Sequence, residues 1–200
     1  MISLSHPKFS NKDYIGLNGV SRKQLIHPHF EKWQEWFLNE YKPPKNKVAV
    51  FLPCAAIKPY YNSPIHKLIN DVLDKYSDEI HKVVISNAGV IPYEYCDKYP
   101  FNSYDWNPLA ENESIQEEYY KITKKRIENY LSRHSYSAHV SYLRNNSLSF
   151  RALKDACSNL KIKLYYDKLN EEISSEKDTD LVLTYPENLE RISKLLEGLL

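Results

Sequence analysis

Fourteen residues, Pro53-Cys54-Ala55-Ala56-Ile57-Lys58-Pro59-Tyr60-Tyr61-Asn62-Ser63-Pro64-Ile65-His66, present a thiol, an ammonium, a phenol, a hydroxyl and an imidazole. A thiolate attacks electrophilic carbon, carbonyls and nitriles included. A nearby lysine and a helix N-terminus can depress a cysteine pKa, so Cys54 is the candidate nucleophile. His66 and, further along, Asp105 are the candidate proton carriers, the imidazole being nearer to neutral pKa. Lys58 and the free N–H groups of a helix starting at Ser63 are candidates to orient a substrate or hold an anion.

The surrounding pattern says how such a segment is positioned. Val48-Ala49-Val50-Phe51-Leu52 reads as a buried strand, and Ser63-Pro64 as an N-cap hydroxyl followed by proline in the first helical turn. The order is strand, reactive loop, helix, which in an open α/β sheet lies at the carboxyl end of a strand, where ligands bind. Further strands are predicted at 81–86, about 137–143 and 161–166, with helices at 29–41, 64–76, 113–132 and 148–160. A short strand at 181–184 and an amphipathic helix carrying Leu189, Ile192, Leu195, Leu196 and Leu199 close the chain. The expected fold is a three-layer α/β/α sandwich with about four mainly parallel strands. Its core strand residues are Val48, Val50, Leu52, Val83, Ile85, Val140, Tyr142, Ile162 and Leu164.

Right-handed crossovers collect the strand-end loops on one rim. That rim gathers Asn87, Gly89, Tyr93, Tyr104 and Asp105 from the long loop 87–112, and Arg144-Asn145-Asn146 from the loop after the third strand. The expected organisation is an N-terminal arm at 1–27 holding Gly16 and Gly19, and an α/β domain at 28–167. A charged connector and C-terminal helix follow at 168–200, with 170–180 read as a mobile surface segment.

Plainer readings stand beside each of these. A cysteine after a strand is commonly a small buried residue, and a histidine in a first helical turn commonly caps or packs. Asp105 beside Trp106 suits a turn, Arg144 caps a sheet edge or holds a phosphate, and Lys121, Lys124, Lys125 and Arg126 read as a solvated helix face interrupted by Glu117, Glu118 and Glu128. The 200 residues carry a net charge of +1, so no global field favours nucleic acid or membrane, and RNA affinity requires a local patch or a partner. No apolar run reaches membrane-spanning length, and the N-terminus lacks a secretory core. Three widely spaced cysteines form neither a disulfide framework nor a zinc pattern, which makes a reducing cytoplasm the expected home. No metal or organic cofactor is implied, for the chain has no ligand cluster and no glycine-rich phosphate loop.

The combined pattern Pro53-Cys54, Lys58-Pro59-Tyr60, Ser63 and His66 resembles the Pro-Cys-Ser, Lys-Pro-Tyr, Ser, His signature of the catalytic domain of archaeosine tRNA synthase, a family related to archaeal tRNA-guanine transglycosylase. Residues from His27-Pro28 to Tyr41-Lys42-Pro43-Pro44 resemble the helix leading into that domain's first strand. Ser86 to Pro92 resembles its second strand-end loop, and Tyr99-Pro100 with Tyr104-Asp105 its Tyr-Pro and Tyr-Asp segment. The resemblance implies addition of an amine to the nitrile of 7-cyano-7-deazaguanine in tRNA, the amine coming from lysine, with a radical-SAM partner completing archaeosine. It implies roles at Cys54, Lys58, Tyr60, Ser63 and His66. Ala55 departs from the family's serine, Tyr93 from an often basic residue and Ser103 from an often present histidine. Full-length members carry a transglycosylase-like region and a PUA domain. The chain has room for neither, so tRNA affinity is expected to need a separate protein. Two other readings stay open: a non-catalytic homologue serving as a partner subunit, and a protein binding a free nucleobase.

Overall fold

The computed structural model describes residues 5–9, 17–172 and 179–200. Gly16 of the arm and positions 173–178 of the charged connector lie outside the described residues. Two short helical pieces open the fold: α1, Arg22–Leu25, and α2, Pro28–Asn39. Then come β1, Val48–Pro53; α3, Pro64–Leu73; β2, Ile80–Ser86; and β3, Gly89–Pro92. The long α4, Glu113–Arg133, precedes β4, Ala138–Ser141; α5, Leu148–Asn159; β5, Leu164–Tyr165; and α6, Pro186–Glu197.

The strands form one five-stranded sheet in the order β3-β2-β1-β4-β5. β1 pairs in parallel with β2 and β4, and β4 with β5, whereas β3 runs antiparallel to β2. All six residues of β1 are buried, as a central strand covered on both faces requires. Alternation divides its side chains. Val48, Val50 and Leu52 join Ile65, Ile69 and Leu73 of α3 and Ile192 and Leu196 of α6 on one face. Ala49 and Phe51 join Ile127 and Leu131 of α4 and Ala152, Leu153 and Ala156 of α5 on the other. The three-layer α/β/α reading therefore holds.

Three differences from the expected pattern have physical causes. The sheet has a fifth strand, β3, inside the segment read as one long loop, because a Gly89 φ of +128° turns the chain straight back onto β2. A Cβ at Gly89 would collide with the Gln34 carboxamide, whose Oε1 accepts from Val90 N–H at 3.0 Å. The apolar run at 181–184 is not a strand. Thr179–Thr184 coils as a 3-10 helix that buries Val182 and Leu183, and the Leu183 carbonyl accepts from Tyr142 Oη at 2.6 Å. Ile162 and Leu164 are half-buried at the sheet's end rather than central. Among the described residues no helix is long and apolar enough to cross a membrane.

Candidate functional site

A cavity of about 530 Å³ opens at the carboxyl end of β1. Cys54, Ala55, Ala56 and Lys58 form one wall, Ile65 and Asn87 another, Tyr104 to Leu109 a third, and Thr179 with Asp180 the last. Parallel pairing places the first two segments on one rim. The third wall is fixed from outside the sheet: Asp105 N–H donates to Asn18 Oδ1 at 2.9 Å, and Asp105 O accepts from Gly19 N–H at 3.4 Å. The arm residues thus hold the backbone that presents Asp105.

Of the residues singled out in the sequence, Cys54, Lys58, Asn87, Tyr104 and Asp105 come together around this cavity. Cys54 is half-buried and Asp105 exposed at the mouth. Burial, seconded by the Asp180 carboxylate, pushes the Cys54 thiol up to about 11, and Lys58 only partly opposes this. The expected depressed thiol pKa is therefore corrected: at neutral pH the sulfur is protonated. Lys58 Nζ sits 4.0 Å from the centre of the Tyr104 ring. Burial lowers its pKa, with Cys54 and Asp105 acting in the other direction.

Tyr60, Ser63, His66, Gly89 and Arg144 do not line the cavity. His66 is fully buried, with Nε2 2.9 Å from the Pro53 carbonyl and Nδ1 3.2 Å from Tyr93 Oη. The carbonyl can only accept, so Nε2 carries the hydrogen and Nδ1 accepts from the phenol. Burial lowers the His66 pKa to about 4. It is a neutral anchor of the backbone preceding Cys54, not a group facing the sulfur. Tyr93, noted as a departure from the family pattern, is the residue that completes this anchor, and Asn70 Nδ2 donates to the same phenol at 3.0 Å.

Tyr60 lies beneath Tyr104, the two hydroxyls 2.8 Å apart, and stacks on the His66 ring. Burial raises the pKa of both phenols, so both remain protonated donors. Ser63 caps α3 by accepting from His66 N–H at 3.1 Å and is buried. Gly89 shapes the β2–β3 turn. Arg144 reaches the site through another residue: Nε donates to Asp180 Oδ1 at 2.7 Å, and Asp180 forms cavity wall.

Two residues with real consequences were not visible as such in the sequence. Asp180 lay in a stretch read as mobile surface, and only the 3-10 helix that buries Val182 and Leu183 brings it to the rim. Arg126 was grouped with a solvated basic face, yet it is buried and donates to the carbonyls of Asn87 and Leu25, at 3.2 and 2.6 Å, and to Glu31. It holds the backbone of a cavity residue. A buried arginine at helical spacing among exposed lysines carries no signal that distinguishes it.

The architecture and the rim cavity define an α/β domain whose candidate centre is a strand-end cysteine. Residues 30–189 match the family model described as a domain of unknown function, DUF5591, and the chain belongs to that family. It is 34% identical over 128 residues to archaeosine synthase subunit alpha of Methanosarcina acetivorans, covering 64% of this chain and 19% of that protein. It is 25% identical over 134 residues to the subunit of the same name from Thermoplasma acidophilum, covering 65% of this chain and 25% of the relative. For the Thermococcus kodakarensis subunit the figures are 29% over 103 residues, 46% and 18%. The chain thus spans about a fifth to a quarter of the length of these curated relatives. Among solved structures, the crystal structure of AF0587, a protein of unknown function, superposes with a TM-score of 0.56 at 18% identity, covering 82% of this chain and 49% of that one. That likeness supports the fold alone.

Proposed function

We propose that this chain is an amidine-forming domain of archaeosine biosynthesis, adding an amine to the nitrile carbon of 7-cyano-7-deazaguanine carried in tRNA. The observation that carries the reading is the cavity itself: Cys54 meets Lys58, Asn87, Tyr104 and Asp105 there, in a chain similar to archaeosine synthase alpha subunits. The thiol is protonated at rest, so it adds across the C≡N bond with help from a base. Asp105 takes the S–H proton, sulfur bonds to the nitrile carbon, and the nitrile nitrogen receives the proton, giving a thioimide. The amine then attacks that carbon, loses a proton to Asp105, and the C–S bond breaks as sulfur recovers its hydrogen. The product is the amidine, and Cys54 is regenerated.

Lys58 steadies the developing negative charge on nitrogen, while Tyr104 and Asn87 supply ring surface and amide hydrogen bonds for the flat base. His66 and Tyr60 are positioning residues that act through Pro53 and Tyr104. The relatives are named as alpha subunits, so this domain works within a larger assembly that includes the remaining tRNA-binding parts and a partner subunit. The test incubates the protein with nitrile-bearing tRNA and free lysine, then reads intact mass and digested nucleosides. A thioimide mass on wild type and none on Cys54→Ala or Cys54→Ser supports the reaction. An undiminished adduct in both variants, or base binding with no adduct at all, overturns it.

A further inference from the structure

We infer that the open edge of the sheet, where β5 meets α5, is an RNA track leading to the Cys54 cavity. The inference rests on the reading above in taking tRNA as the substrate. Among the described residues β5 has a hydrogen-bonded neighbour on one side only, β4, and no other strand covers this edge. Cations and rings interleave along it. Lys163 Nζ lies 4.4 Å from the centre of the half-buried Tyr165 ring on the face shared with α3 and α6, and Lys154 Nζ 5.7 Å from Tyr166 on the face shared with α5. Tyr166 is 40% exposed and braced edge-on by Phe150.

Two of the nearby acids are already engaged, while Glu171 and Glu172 lie further along the chain leaving β5. Asp155 is held by Tyr120 Oη at 2.7 Å and approached by Arg151 at 3.9 Å, and Asp167 faces Arg191 at 3.6 Å. Lys154, Lys161 and Lys163 enter none of the ion pairs among the described residues. Three lysines outside the ion pairs thus stand at this edge, beside the exposed Tyr166 ring. Ammonium groups follow a phosphate backbone, and ring faces take stacked bases whatever their sequence. An acidic protein partner would use the charges and leave the rings idle.

The edge also leads to the right place. β1, β4 and β5 are parallel neighbours, so their carboxyl ends share a rim, and two strand spacings separate β1 from β5 by roughly 10 Å. The chain leaving β5 is fastened to the loop after β4. Asn145 donates to Asp167 O at 3.2 Å and accepts from Leu169 N–H at 2.9 Å, next to the Arg144 that grips Asp180 of the cavity wall. An RNA strand lying on the edge has one loop to cross before the cavity.

The test measures binding, not turnover: fluorescence anisotropy of labelled tRNA against wild type, the double variant Lys154→Gln/Lys163→Gln, Tyr166→Ala, and the control Lys194→Gln on α6, each checked by circular dichroism. Losing two phosphate contacts should weaken binding roughly tenfold near 0.1 M salt and flatten the log K against log salt slope by about 1.4. Tyr166→Ala should weaken binding and leave the slope unchanged. Unaltered affinity in the double variant, equal loss in Lys194→Gln, or displacement of tRNA by polyglutamate as effective as by polyuridylate would overturn the inference. Patch-dependent binding without any thioimide leaves this surface standing and sinks the reaction, whereas a thioimide with patch-independent binding does the reverse.

Discussion

His66 Nε2 donates to the carbonyl of Pro53 across 2.9 Å, fixing the residue that immediately precedes Cys54. The ring is fully buried between Tyr60 and Tyr93 and stacked on both. Its contribution to the site is placement of the β1 terminus, and stability and reactivity should both report it.

Because burial lowers the His66 pKa from 6.5 to about 4, the unfolded chain takes up this proton first as pH falls. The stability tied to the neutral ring is complete above about pH 6.5 and is lost as pH drops toward 4, a change of roughly 3 kcal/mol for a shift of this size. Urea unfolding of His66→Gln should show a shallower pH dependence than wild type over that window. Equal slopes would mean that folding leaves the ring's pKa where the unfolded chain has it.

The thiol of Cys54, pushed up to about 11, should alkylate slowly at neutral pH. Its rate with iodoacetamide should climb about tenfold per pH unit from 7 to 10, because the thiolate fraction does so below the pKa. Peptide mapping separates it from Cys96 and Cys157, both buried. A plateau below pH 8 would reveal a preformed thiolate.

Asp180 and Lys58 act on that sulfur with opposite sign. Asp180→Asn should speed alkylation at pH 8 and Lys58→Gln should slow it. Changes in the same direction for both variants would refute the electrostatic account. Asp180→Asn also frees Arg144, so the assay belongs at matched folded fraction, set by thermal melting.

Gly89 adopts φ +128° with the Gln34 carboxamide occupying the place of a side chain. Gly89→Ala should destabilise by about 2–4 kcal/mol through backbone strain and displacement of the Gln34–Val90 hydrogen bonds. A thermal shift under a few degrees would show that the β2–β3 turn can relax.

Periodicity and caps carried much of the architecture, for reasons local to the chain. Ser63-Pro64 starts α3 at the predicted residue, because the hydroxyl and the proline act within one turn. β3 was missed because Gly89 and Pro92 read as breakers, whereas here one supplies the turn and the other ends the pairing. At the site, Cys54, Lys58 and Asn87 were legible because strand-end loops of a parallel sheet must share a rim. Tyr104 and Asp105, by contrast, follow the antiparallel β3 and reach the cavity through the arm residues Asn18 and Gly19. His66 was misassigned because spacing shows which turn a ring occupies but not which way it faces. Asp180 was invisible, since its place depends on how Val182 and Leu183 dock far from β1 in sequence.

The walls around the sulfur come from four stretches scattered between position 54 and position 180. An excised half of the protein would lack at least one of these walls, and undocking of the 3-10 helix that carries Asp180 would open another. The sulfur is thus a built-in gauge of completed folding, sluggish toward alkylating reagents when every wall has docked and quick when any one is missing.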